Sequence, residues 1–166
     1  MSRLNDRIAR WVHDRARTSC CEDVVARILP IQRTGVPVEA LRSSALAASR
    51  DVFVRSGRKA DREQVALLAH LALAEASLRR PYQGGGLPEG TDKAHHAWLS
   101  GTLSAWVAEQ VSRVPLMPGA WSRAAGVVAA MGAGVLKEVL DIGGTGFNPK
   151  DIRADWIGAR SAISRS

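Results

Sequence analysis

The sequence predicts an all-α fold, a compact bundle of about six helices with no sheet. Three observations lead there. The 46% apolar content is dominated by Ala, Leu and Val, and five of the eight aromatic residues are Trp, a composition that favours helix over strand. Apolar positions recur at three- and four-residue spacing through most of the chain. The breaks between those segments carry Gly, Pro or a helix-capping residue. At 166 residues the chain is long enough for one domain with a real core.

Taken in order, residues 4–28 place Leu4, Ile8, Trp11, Val12, Val24, Val25 and Ile28 on a helical stripe, and Pro30 is expected to end it. Residues 37–55 form a second helix with Leu41, Ala45, Leu46, Ala48 and Val52 inward. Asp61 with Gln64 three residues on is a capping-box pattern, and opens a helix to about Arg80. Residues 81–91, PYQGGGLPEGT, cannot hold a helix. They divide an N-terminal helical half, 1–80, from a C-terminal half, 92–166. They act either as a slack connector or as a wall of a functional site.

The second half reads as three helices. Thr91 is placed to cap the first, which runs to about Arg113. Pro118 suits the first turn of the next, which ends near Asp141 before Gly143 and Gly144. Asn148-Pro149 is an N-cap followed by Pro at the first helical position. Gly126, Ala130 and Gly134 form a small-residue stripe suited to close helix packing.

Net charge is +7, almost all from arginine, since only Lys59, Lys93, Lys137 and Lys150 are lysines. The arginines are scattered singly, and no specific nucleic-acid motif is present, so the basic balance reads as a solvated surface. A protein partner is compatible with such a surface. Cys20 and Cys21 are adjacent and suit two free thiols in a reducing compartment. The first 18 residues lack the apolar core of a signal peptide, and the longest apolar run, 124–136, is too short to span a bilayer. Those features imply a cytoplasmic protein, or one exported by a signal-independent route.

Three strings carry the candidate chemistry: Asp92-Lys93-Ala94-His95-His96, Lys137-Glu138-Val139-Leu140-Asp141, and Asp151-Ile152-Arg153-Ala154-Asp155. Asp92 and His96, Glu138 and Asp141, and Asp151 and Asp155 each share a helix face. In an antiparallel bundle the start of the first helix, the end of the second and the start of the third can meet at one end. The candidate catalytic set is Asp92, His96, Glu138 and Asp141. The candidate ligands for a divalent metal are His96, Glu138, Asp141 and Asp151, with an open position for activated water. Lys93, Lys137, His95 and Asp155 support the cluster. Without metal, a carboxylate beside His96 can work as a general base. The competing interpretation is a buried polar network that holds three helix ends together, with the chain a non-enzymatic binder of another macromolecule. His13 and His70 stand alone on helical faces and read as structural or solvated.

DKAHH, Gly101, GVLKEVLD and FNPKDIRADWIGA together resemble the YfiM-like group of bacterial lipoproteins, over about residues 90–160. That group carries DK-x-x-H, KE-x-x-D and D-x-x-A-N-x-x-G strings. The resemblance implies a shared site at Asp92, Lys93, His96, Lys137, Glu138, Asp141, Asp151 and Gly158. Ala97 stands where the group has an aromatic, Asp155 where it has Asn, and the chain does not open on a lipoprotein signal. DKAHHAWLSG also resembles, more loosely, helical domains at the ends of secreted bacterial toxins. A hydrolase-like or metal-binding protein, acting on a cell-envelope or phosphodiester substrate, is the leading functional expectation.

Overall fold

The computed structural model describes residues 19–59, 61–90, 92–141 and 147–164. Among them six helices form: α1 (Ser19–Arg33), α2 (Val38–Arg55), α3 (Arg62–Arg79), α4 (Lys93–Ser112), α5 (Gly119–Asp141) and α6 (Pro149–Ile163). No strand occurs among the described residues. The expected stripe over 4–18, His13 with it, and the caps at Thr91, Gly143 and Gly144 lie outside them.

α1, α2 and α3 pack against one another, and α4 packs against α3, α5 and α6. α3 and α4 are therefore the interior helices. α3 accordingly buries an unbroken Ala- and Leu-rich run from Leu68 to Ala76, wrapped on several sides rather than on one stripe. Ile28, Leu41, Leu73 and Trp98 are the largest apolar side chains wholly removed from water. The Asp61–Gln64 capping box forms as its spacing predicts.

One boundary is corrected. Pro30 lies inside α1, which continues to Arg33. Proline removes only the bond its own N–H would have made to Ala26. The final turn is held from outside, because Gln32 Nε2 donates to the Arg80 carbonyl at 2.6 Å. Gly35, at φ +68°, then turns the chain where a side chain would be strained.

Small residues set the spacing around α4. A Cβ at Gly158 would overlap the Ala97 carbonyl, one at Gly101 would overlap His70, and one at Gly126 would overlap the Ser104 carbonyl. Those glycines bring α3, α5 and α6 close against α4, and Ser104 Oγ donates to the Ala159 carbonyl at 3.1 Å across the α4–α6 crossing. His70 is enclosed there, with Nδ1 2.8 Å from the Ala66 carbonyl and Nε2 2.9 Å from Ser161 Oγ. Burial pushes its pKa down to about 4, so it is a neutral packing residue.

Candidate functional site

The start of α4, the last turns of α5 and the start of α6 meet at one end of the bundle. Asp92 precedes α4 and makes no capping hydrogen bond with its side chain. Its carboxylate turns instead to Lys93 Nζ, 3.0 Å from Oδ2. Lys93 is buried and also donates to Asp151 Oδ1. Lys137 Nζ reaches the other oxygen of Asp151 at 3.3 Å and also donates to Glu138. Asp151 is thus held between two ammonium groups from two helices.

His96 lies one turn into α4, with its side chain 17% exposed. Its Nδ1 is 3.6 Å from Asp155 Oδ1, and its Nε2 is 3.6 Å from Asp151 Oδ2 and 3.8 Å from Asp92 Oδ2. Asp155 is buried and accepts from Ser100 Oγ at 2.7 Å. A Cβ at Gly134 would overlap Asp155 Oδ2, so glycine on α5 makes the space that this carboxylate fills.

Glu138 is almost wholly buried, and it faces away from His96 in its bonding. Besides Lys137, it accepts the backbone N–H of Asn148 at 2.7 Å. Asn148 in turn accepts from Lys150 N and donates through Nδ2 to Asp151 Oδ1 at 3.1 Å. Glu138 therefore anchors the N-terminus of α6 beside the site, where a negative charge complements the free N–H groups. His95 points to α3, with Nδ1 3.3 Å from Ser77 Oγ. The α5 helix closes at Asp141, whose side chain lies outside the described atoms.

The charges are mutually reinforcing. Burial opposes the ammonium form of Lys93, but its hydrogen bonds to Asp151 and Asp92 prevail and raise its pKa. Lys137 is raised likewise, against burial, chiefly by Glu138. Burial also opposes ionisation of Asp92, yet the Lys93 hydrogen bond holds its pKa below the ordinary carboxylate value. Burial and the neighbouring His96 lower the pKa of His95. Cys21 is pushed up to about 12 by burial and by the charges of Glu22 and Glu75, which rules it out as a thiolate nucleophile near neutrality.

The structure therefore brings together Asp92, Lys93, His96, Lys137, Glu138, Asp151 and Asp155, and turns His95 elsewhere. The ligand atoms that lie within 4.8 Å of one another belong to Asp92, His96 and Asp151. Glu138 is not among them, and its oxygens accept from Lys137 and the Asn148 backbone. The sequence does not point to Ser100, nor to the room that Gly134 makes for Asp155. Ser100 was accessible to the spacing argument, since it follows His96 by four residues on the same face. Gly134 was read only as a packing residue.

The loop expected to border the cluster divides in two. Tyr82 Oη donates to the Val36 and Gly85 carbonyls at 2.7 and 2.9 Å, and Val38 N donates to Gly85 O at 2.9 Å. That first part docks on the α1–α2 turn. Only the last part reaches the site, where a Cβ at Gly90 would stand 2.9 Å from Lys93 Cε.

Compared with known protein families, curated proteins and solved structures, the chain gives no match. No helix among the described residues is long and apolar enough to cross a membrane.

Proposed function

We propose that this end of the bundle is the active site of a small hydrolase-like protein in which His96, oriented by Asp155, activates water as a general base. The carrying observation is the placement of His96. It is a partly open imidazole with a buried, Ser100-held carboxylate behind Nδ1. Carboxylates stand 3.6 Å from both ring nitrogens, but two ammonium groups engage Asp151 beside Nε2, so Asp155 is the stronger acceptor for a proton on Nδ1, the tautomer in which Nε2 can take one. The 3.6 Å separations exceed a direct hydrogen bond, a looseness common in catalytic pairs before substrate tightens them. Lys93 and Lys137 offset part of the negative charge of Asp92, Glu138 and Asp151. The likeness of the three strings to the YfiM-like group extends to Lys93, His96, Lys137 and Asp151, but not to Asp155, where that group has Asn.

A metal-assisted version rests on a separate observation, the convergence of Asp92, His96 and Asp151. Asp155 behind the histidine also resembles the carboxylate–histidine–metal arrangement. Against it, both oxygens of Asp151 already face ammonium groups, which a divalent cation would have to approach. Hydrolysis of a chromogenic phosphodiester, measured with chelator and then with added magnesium, manganese or zinc, separates the two. The metal-free reading expects turnover in chelator. Turnover that appears only with a cation, together with cation binding lost in Asp92→Asn, would replace it with the metal reading.

A further inference from the structure

The outward face of α5 is apolar along its whole length. Trp121, Val128, Val135, Leu136, Val139 and Leu140 are all exposed, Val128 at 72% and Trp121 at 67%. Ala124 and Gly132 complete the stripe, and both are also exposed. No acidic residue occurs between Glu109 and Glu138. Lys137, the cation nearest the C-terminal part of the stripe, is drawn inward by Glu138 and Asp151. The opposite face of α5 is committed to α4 and α6 through Gly126, Ala130 and Gly134.

We infer that this face is a homodimer interface, in which α5 of one copy packs antiparallel against α5 of a second copy about a two-fold axis midway between Val128 and Gly132. Two features argue for a second copy. First, the stripe is complementary to itself. An antiparallel pair centred there sets Val128 opposite Gly132 of the partner subunit and Ala124 opposite Leu136 of the partner subunit, a large side chain over a small one in both, with Trp121 over Val139 of the partner subunit closing each end. A two-fold interface requires this self-matching, and helices so matched approach closely. Second, the area is adequate. The six large side chains expose on the order of 600 Å², at the top of what a monomer normally leaves in water. Doubled across a two-fold axis, complete burial of that area would come to the roughly 1,200 Å² at which specific interfaces begin. The stripe itself carries no charge, so its centre meets its copy without like-charge repulsion despite the chain's net charge of +7.

Sedimentation velocity of the full chain across the micromolar range tests this. A concentration-dependent dimer is expected. Val128→Glu and, separately, Leu136→Glu are expected to weaken self-association at least tenfold while leaving the thermal transition of the fold in place, since both side chains project into solvent. A single monomeric species at every concentration overturns the inference. If that monomer binds vesicles of anionic lipid, the face belongs to a membrane surface. A dimer that both variants leave intact overturns it as well, by placing the contact elsewhere.

Discussion

Asp155 Oδ1 stands 3.6 Å from His96 Nδ1, and the space its carboxylate occupies exists because residue 134 has no side chain. A helix on one side of the site thus fixes the position of a carboxylate from another, which in turn faces an imidazole from a third. Gly134→Ala puts a methyl group against that carboxylate. The expected result is a folded protein, less stable by about 1–3 kcal/mol, the usual range for overpacking. Its hydrolytic rate should fall with the displacement of Asp155. Calorimetry and a rate assay on the same preparation check it; an unchanged rate in a folded Gly134→Ala protein removes Asp155 from the mechanism.

Lys93 is the cation on which the cluster depends most. Lys93→Met leaves the buried Asp151 without its closest ammonium partner, and is expected to cost about 3–5 kcal/mol, the range for breaking a buried pair from one side. Replacing both, Lys93→Met with Asp151→Leu, should cost less than the two single changes added together. The sign with pH follows from the raised pKa of Lys93. Its contribution is complete below the ordinary lysine value of 10.5 and is lost as pH rises through the higher folded value. Denaturant titrations at neutral and strongly alkaline pH should therefore converge for wild type and Lys93→Met at the alkaline end.

His70 controls the acid side. It stays neutral when folded until pH falls to about 4, whereas the unfolded chain takes up its proton near 6.5. Stability tied to His70 is thus complete above 6.5 and declines as pH drops toward 4, by about 3 kcal/mol in all. His95, also lowered by burial, acts in the same direction. Melting temperatures between neutrality and pH 4.5 should fall less steeply in His70→Gln than in wild type.

The sequence shows much of this architecture because helices declare themselves through local chemistry. Asp61 with Gln64 and Asn148 with Pro149 mark two starts correctly, and both caps are present in the fold. The three strings also meet, because spacing specifies a shared face and short connections specify which ends adjoin. Spacing does not say which facing group takes which lone pair. The spacing brings Glu138 to the cluster, as ligand, catalyst or member of a polar network, but does not say that Lys137 and the Asn148 backbone are the donors it meets there. Pro30 was read as a stop because local rules carry no knowledge of Arg80, whose carbonyl secures the last turn of α1. For the 81–91 loop, adjacency to Asp92 leaves connector and site wall equally open, because nothing local reveals that the Tyr82 hydroxyl ties its first part to Val36.

That loop gives a further expectation. A Cβ at Gly84 would overlap the Val36 carbonyl and the Tyr82 ring, whereas one at Gly85 meets nothing within 4 Å. Gly84→Ala should destabilise by about 1–3 kcal/mol. Gly85→Ala should be neutral or stabilise by about 0.4–1 kcal/mol, by restricting the unfolded chain. Neither should alter turnover, since this part of the loop docks on the α1–α2 turn. A changed rate in Gly85→Ala with an intact fold would restore the loop as part of the site.

The most direct measurement pairs turnover with stability in His96→Ala. His96 is partly exposed and bonds its carboxylate neighbours only loosely, so removing it strands no buried partner at hydrogen-bond distance. The variant should melt close to wild type, yet hydrolyse a phosphodiester at least about a hundredfold more slowly, the lower bound for losing a general base. A His96→Ala protein that loses stability, alongside a wild-type chain with no turnover on any ester or phosphodiester, would contradict the account. The cluster would then be a network that holds three helix ends together.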